Sequence, residues 1–401
     1  MTLLYISAIN FIYCIMAKEE ALREEALAMH QHGKSVSEIA RELNRSRQWV
    51  YKWLGRYSSG QADWSSSISN APHIRPNKTS SSLVDEVKAA RLELKRSPYH
   101  ESGAYAIFHH LEEKGIEPPS VATINRILKQ HGLVHEKVSY KKSGLDYPEA
   151  PINLHVMDLI GPCYLRGGVR YYLLTIISND TRHAGVYPIL SKSSKDVTQG
   201  VVSFWKDYTL PDFLQMDNEL SFKGSNRHPR GLGLLLRTAI GLNVTPIFIP
   251  VSEPWRNGVI ERFNQKVERT LLLQEHKDFD ELLAHSEEFM EAHNQTHHYS
   301  TLSHKTPRQL DVDMGLHVNP LRQDYEVGER PRLDDWNLNE IHFIRLVRSD
   351  LKINVLNTEI HVSPKLQHTY VDACLLINEH QLLIRQDDTT VDSVEFIMPL
   401  V

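Results

Sequence analysis

The order of patterns along the 401 residues predicts a multidomain chain: helical units first, then an α/β core built on a mixed five-stranded sheet with flanking helices, then a small all-β domain. Three observations predict it. Capped helical periodicity dominates to about residue 135. β-rich runs at 152–160, 170–178, 183–190, 212–217 and 243–249 then interleave with helical stretches near 193–206, 229–239, 256–273 and 278–296. Short alternating runs at 340–348, 351–356, 358–363, 369–377 and 381–386 fill the tail.

Residues 18–57 read as three short helices. The first stops at Gly33, Ser35 with Glu38 forms a capping box that opens the second, Asn44 ends it, and Ser46 starts the third. Val50 and Leu54 lie on one face of the third helix, with Ile39, Ala40 and Leu43 available to pack on them. This is the pattern of a helix-turn-helix, whose last helix enters a DNA major groove and would offer Arg47, Gln48, Tyr51 and Lys52 to phosphates or base edges. An ordinary helical hairpin with a solvated basic face shares the pattern. A Ser-, Asn- and Pro-rich linker follows, then helices at 83–96, 101–114 and 120–131, the last capped by Ser120, closed by Gly132 and exposing Arg126 and Lys129. Two such units in series would read two adjacent stretches of DNA; a purely structural bundle is the alternative. The expected order is therefore an apolar extension at 1–17, a helix-turn-helix at 18–58, a linker at 59–82, a second helical DNA-binding unit at 83–135, a linker at 136–150, the core at 151–310, a linker at 311–338 and a small β-barrel at 339–401.

Composition agrees with a globular chain, with 41% hydrophobic and 24% charged residues and a net charge of −5. The charge is uneven: residues 1–142 hold 20 Lys and Arg against 15 Asp and Glu, leaving 25 against 35 for the remainder. A basic front and an acidic rear suit a DNA-contacting arm followed by a carboxylate-bearing domain. Cys14, Cys163 and Cys374 are too widely separated for a disulfide framework or for the paired spacing of a zinc site, and none of the 22 histidines shows a zinc spacing. That usage points to a reducing cytoplasm, with association to the nucleoid when bound to DNA. The apolar run from Leu3 to Met16 lacks the flanks of a signal peptide and is too short to span a bilayer, so no membrane partner is expected. It reads either as an upstream extension, with Met16 as the start, or as a short element packed on the body.

Asp158 sits inside the first β run among apolar neighbours, and Asp217 ends the fourth. A carboxylate half-buried there needs a cation or several donors. Glu261 lies one turn into a helix, and strand ends beside a helix can bring three distant acids together. Hard oxygen ligands with open positions suit Mg²⁺ or Mn²⁺, and two such ions about 3.5–4 Å apart clamp both oxygens of a phosphodiester displacement.

The block Pro250 to Asn264, PVSEPWRNGVIERFN, resembles the signature around the catalytic Glu of insertion-sequence transposases in the retroviral-integrase superfamily. Met157-Asp158 resembles the family's first catalytic Asp, Met216-Asp217-Asn218 its second, and Asn294 to Pro307 its later segment. The resemblance spans about residues 20–310 and implies a ribonuclease H-like core in which Asp158, Asp217 and Glu261 hold two Mg²⁺ or Mn²⁺ ions for end cleavage and strand transfer. It also implies double-stranded DNA as partner, both element ends and target, and a homo-oligomer assembled on it. Glu219 stands where the family usually has Gly, as a decoy ligand or a solvent-facing side chain. The 43 residues between Asp217 and Glu261 are more than usual, and Phe222 to Gly233, with Lys223, Arg227 and Arg230, looks like an inserted loop. At the start of the catalytic helix Arg256 and Lys266 are expected on DNA and Asn264 as an orienting group, while His155 is read as structural on the opposite strand face. Trp49, Trp53 and Trp255 read as packing. A DNA-binding regulator derived from a transposase and a nuclease that hydrolyses without joining are the competing functions.

Overall fold

The computed structural model describes residues 19–60, 62–66, 79–134, 147–224, 230–251, 253–314, 319–328, 340–387 and 389–398. The apolar extension and half or more of each expected linker lie outside them. The chain divides into two compact units, Met1–Lys78 and Thr79–Val401.

In the first unit, α1 covers 19–31, α2 is Val36–Glu42 and α3 is Arg47–Ser58. The expected caps form: the Ser35 hydroxyl accepts from the Glu38 N–H while the Glu38 carboxylate takes the Ser35 N–H, and Ser46 caps α3. Asn44, at φ 52°, turns the chain between α2 and α3. Ala26, Ile39, Ala40, Leu43 and Val50 form a small core, and the Arg23 guanidinium lies 3.9 Å over the buried Trp53 ring. Arg47, Gln48, Tyr51 and Lys52 are all exposed on α3.

The second unit opens with α4 (Ser81–Arg96), α5 (Ala104–Glu113) and α6 (Val121–Gln130), packed through Val87, Leu94, Ile107, Leu111, Ile124 and Leu128. Ser120 caps α6, as expected, and Arg126 and Lys129 are exposed on it. These helices rest on the core by aromatic contacts: Tyr105 stacks on His304 at 4.0 Å and His109 on His298 at 3.7 Å.

The core is β1 (Leu154–Tyr164), β2 (Arg170–Ser178), β3 (Ala184–Ile189), α7 (Ser194–Asp207), β4 (Phe213–Met216), α8 (Leu220–Lys223), α9 (Leu234–Gly241), β5 (Thr245–Phe248), α10 (Gly258–Thr270), α11 (Phe279–Thr296) and α12 (Pro307–Asp313). β1, β2 and β3 form the expected antiparallel meander, while β4 and β5 join parallel to β1. Alternation sorts the faces. Met157, Leu174, Leu214 and Met216 meet α7 and α9, whereas Leu154, Val156, Leu173 and Ile177 meet α10 and α11.

One expectation is corrected here. The tail strands do not close into a separate barrel, and the sheet is larger than five strands. β6 (Glu340–Leu346) pairs parallel with β5, and β9 (Tyr370–Leu376), β10 (Gln381–Gln386) and β11 (Thr389–Glu395) continue antiparallel, giving nine strands in the order β11-β10-β9-β6-β5-β4-β1-β2-β3. Only the hairpin of β7 (Lys352–Val355) and β8 (Thr358–His361) stands apart, packed by Ile353, Val355 and Ile360 on the α7 face. Alternation in a tail strand says that one face is buried but not which edge it joins, and the open edge of β5 supplies one. No described helix is long and apolar enough to cross a membrane.

Candidate active site

Asp158 shares its strand face with Leu154 and Val156, so it points toward α10. Asp217 shares its face with Phe213 and Gln215. β1 and β4 run parallel in the register Leu154 to Phe213 and Val156 to Gln215, and two further residues along each strand bring Asp158 level with Asp217. Both acids and Glu261 on α10 are half-buried. The helix is held at two points on the face that carries Glu261. Asn257, four residues before, accepts at 2.8 Å from the Gln215 side chain of β4, and Asn264, three residues after, donates at 2.8 Å to Asp158 Oδ2. Asn264 thus serves Asp158, and sequence reasoning missed the Gln215–Asn257 partner of that clamp. His155, three residues from Asp158, is buried on the other face against Phe204 and Tyr208, as expected, and burial pushes its pKa down to about 3.

Asp217 feels the Lys192 and Lys223 charges, but none of the three acids is held in an ion pair among the described residues. Among the described residues no Lys, Arg or His comes within ion-pairing distance of Asp158, Asp217 or Glu261, the nearest pairs at the site involving other carboxylates. Burial first, and then the neighbouring Asp217 and Glu261 charges, push the Asp158 carboxyl up to about 6 against the N–H of Leu159 and the Asn264 amide. Burial also raises Asp217, helped by the Glu219 charge and opposed by the Glu219 N–H at 2.9 Å. Among the described residues the three carboxylates do not gather their oxygens within 4.8 Å of one another. Asp158 feels the charges of both other acids, and this acidic arc offers hard oxygen donors of the type that take Mg²⁺ or Mn²⁺.

Glu219 takes ordinary backbone angles, φ −59° and ψ 141°, so the position does not require glycine. Its carboxylate lies 3.4 Å from Lys192. Of the inserted segment, Gly224 at φ 109° lies against Gly233, where a Cβ would meet backbone at 2.8 Å. Arg230 is engaged by the Ile397 carbonyl and Thr358 hydroxyl with its guanidinium 4.4 Å over Phe396, and Lys223 reaches the Asn357 side chain. This side of the loop is docked on the tail strands; Arg227 lies outside the described residues.

Support for the site also arrives from β6. The buried Arg345 donates to the Ile249 and Asn354 carbonyls and, at 2.8 Å, to the side chain of Asn218, which itself donates to Ile249. Asn218 follows Asp217 directly, so a tail strand braces the turn that presents the second acid. The signal was legible: Arg345 falls on the same strand face as buried Ile341 and Phe343. Two residues expected on DNA make contacts within the protein. Arg256 is committed to Tyr370 at 2.8 Å and Glu253 at 3.3 Å, with its guanidinium 4.1 Å over Tyr147. Lys266 turns inward, 3.1 Å from His293 Nδ1 in a cavity of about 520 Å³, where burial pushes its pKa down to about 8.

Two family models match the chain: a homeodomain-like domain over residues 17–65 and an integrase core domain over residues 242–307, the latter spanning Glu261 and Asn264. The integrase-core match covers the segment that carries Glu261, and the homeodomain-like match lies ahead of it, an order in keeping with the transposase and integrase superfamily. Solved structures are similar to the chain only at a distance. The magnesium complex of the HTLV-2 integrase catalytic core, in its trimeric form, has a TM-score of 0.31 at 16% identity over 40% of this chain and 96% of that one. The BIV integrase catalytic core gives 0.32 at 14% identity, covering 41% of this chain and 97% of that one. A simian T-cell lymphotropic virus intasome in complex with PP2A regulatory subunit B56 gamma gives 0.36 at 12% identity, covering 78% and 97%.

Proposed function

We propose that this integrase-core protein is a DNA transposase that binds the ends of a mobile element and performs metal-dependent cleavage and strand transfer, with Asp158, Asp217 and Glu261 as metal ligands. The observation that carries the reading is the pair of half-buried acids on and at the end of neighbouring parallel strands, near a third acid on α10, none of them in an ion pair among the described residues. Two ions held there would polarise a DNA phosphate and activate water or a 3′-hydroxyl. The protein's own groups do the positioning. Gln215 and Asn257 fix the start of α10, Asn264 fixes its second turn and orients Asp158, and Arg345 with Asn218 holds the turn that carries Asp217. A proton on Asp158 below about pH 6 must leave before that carboxylate can serve as a ligand.

DNA contact falls to the exposed Arg47, Gln48, Tyr51 and Lys52 of α3 and to Arg126 and Lys129 of α6. Cutting and joining at two ends requires both to be held together, so the working form is a homo-oligomer on DNA. The test is processing of DNA bearing the gene's own flanking sequences with Mg²⁺ or Mn²⁺, comparing the natural protein with Asp217→Asn and Glu261→Gln. Both variants are expected to bind DNA and to lose cleavage and joining by on the order of 10³-fold or more. Sequence-specific binding without cleavage by the natural protein under either metal would instead identify a regulator. Nicked product never joined to target would identify a nuclease.

A further inference from the structure

The outer half of the sheet carries a second set of metal-ligand types, on residues outside the acidic arc. In the antiparallel pair of β6 and β9, His342 stands directly opposite Cys374. Glu340 precedes His342 by two residues and Asp372 precedes Cys374 by two, so all four share one face of the sheet. A carboxylate oxygen of Glu340, a ring nitrogen of His342 and the sulfur of Cys374 lie within 4.8 Å of one another. Glu340 Oε2 is 3.5 Å from His342 Nε2 and 3.8 Å from Cys374 Sγ.

We propose that Glu340, His342 and Cys374 form a binding site for a borderline-soft divalent cation of the Zn²⁺ type, separate from the Mg²⁺ or Mn²⁺ chemistry of the acidic arc. Three features point there. Asp372 Oδ2 lies 2.8 Å from His342 Nδ1, so it fixes the tautomer and leaves Nε2, the nitrogen facing Glu340, free to ligate. One sulfur, one nitrogen and one oxygen donor with an open fourth position match Zn²⁺ and not Mg²⁺, which takes oxygen ligands almost alone. Finally, His342 and Asp372 line a groove of about 710 Å³, which gives an ion a way in. On binding, the Cys374 thiol loses its proton to solvent as the metal–sulfur bond forms. Arg385, opposite Asp372 on β10, balances the negative charge that remains. The bland alternative is an imidazolium held between Glu340 and Asp372. It has no need of a thiol at the same point, and the two readings part on Cys374.

The experiment is a Co²⁺ titration of the full chain after treatment with a chelator, followed by absorption. A sulfur-to-cobalt charge-transfer band saturating at one equivalent is expected, displaced by Zn²⁺ and untouched by excess Mg²⁺. The band should vanish in Cys374→Ser and persist in the Asp217→Asn/Glu261→Gln double variant, which separates this site from the proposed catalytic one. Because Cys374 is buried, two variants on the open side guard against misfolding: Glu340→Gln, and Asp372→Asn, the latter expected to weaken Co²⁺ binding about 10–100-fold. No thiolate band in the natural protein, or a band that survives Cys374→Ser, overturns the proposal. Affinity unchanged in both Glu340→Gln and Asp372→Asn does so as well.

Discussion

Strand β2, next to one edge of the sheet, buries eight of its nine residues, whereas β11, at the other edge, buries none. The contrast extends to their neighbours. From β3 to β5 the sheet has helices on both faces, and from β6 to β11 the polar residues Glu340, His342, Asp372 and Arg385 line up on a half-open face. The same side-chain types therefore behave differently in the two halves. Asp158, between β2 and β4, is pushed upward by burial and by two neighbouring acids, while Asp372 on the open half has His342 beside it. A carboxylate becomes a demanding group only where the sheet is covered and no cation of the protein answers it.

Arg345 crosses that division, and removing it gives the largest expected effect. Arg345→Met takes a donor from the Asn354 carbonyl and the Asn218 side-chain oxygen and leaves the Ile249 carbonyl only its bond from Asn218, which costs about 3 kcal/mol or more. A denaturation midpoint shifted in proportion, with DNA cleavage reduced as well, would tie the outer half to the site. Unchanged cleavage in a folded variant would show that the halves work independently.

Next in size, Asn264→Ala is expected to slow cleavage by about 10–100-fold, the range for groups that orient metal ligands, with DNA binding unchanged. An equally exchanged polar residue on the open half, Asp392→Asn on β11, should leave the rate within about twofold. Equal losses from both would erase the distinction.

The smallest effect is on melting temperature without added metal. The folded-state pKa of Asp158 is raised above its unfolded value, so protonation favours the fold, and that benefit is full below about pH 4 and lost as pH rises through about 6. Asp158→Asn removes the penalty, so this variant should melt a few degrees above the natural protein at pH 8 and approach it as pH falls below 6. Comparison with the variant is needed because His155, held near 3 by burial, acts in the opposite sense and destabilises the whole protein in acid. A variant that melts lower than the natural protein at every pH would show Asp158 to be a structural group.

Most strands with strong apolar content are legible to within a residue or two, 170–178 and 381–386 among them, whereas β1 runs four residues past its expected end. β11 was not, because Thr389–Glu395 offers no apolar periodicity and owes its strand state to pairing with β10. The short α8 and α12 escaped notice for the same reason, being settled by caps and neighbours. At the site, the three acids could be named from the wording around them, and the clamp through Asn264 partly so. Arg256 and Lys266 could not be placed, since a basic residue beside or within a helix looks alike whether it faces DNA or, as here, an aromatic pair and a buried histidine. Gln215 and Asn257 carry no sequence signal for each other across 42 residues.

The pairing of β5 with β6 also has a timetable. A ribosome finishes Phe248 about 90 residues before it reaches Glu340, an interval on the order of 5–20 s at ~5–20 residues per second. Throughout it the edge of β5 is an open template for any passing strand, and Asn218 waits for an arginine that has not been made. All three acids have left the ribosome by then, yet the turn that aims the second of them has no brace. The turn that carries the second acid of the proposed site thus stays unbraced until the segment Glu340–Leu346 has been made.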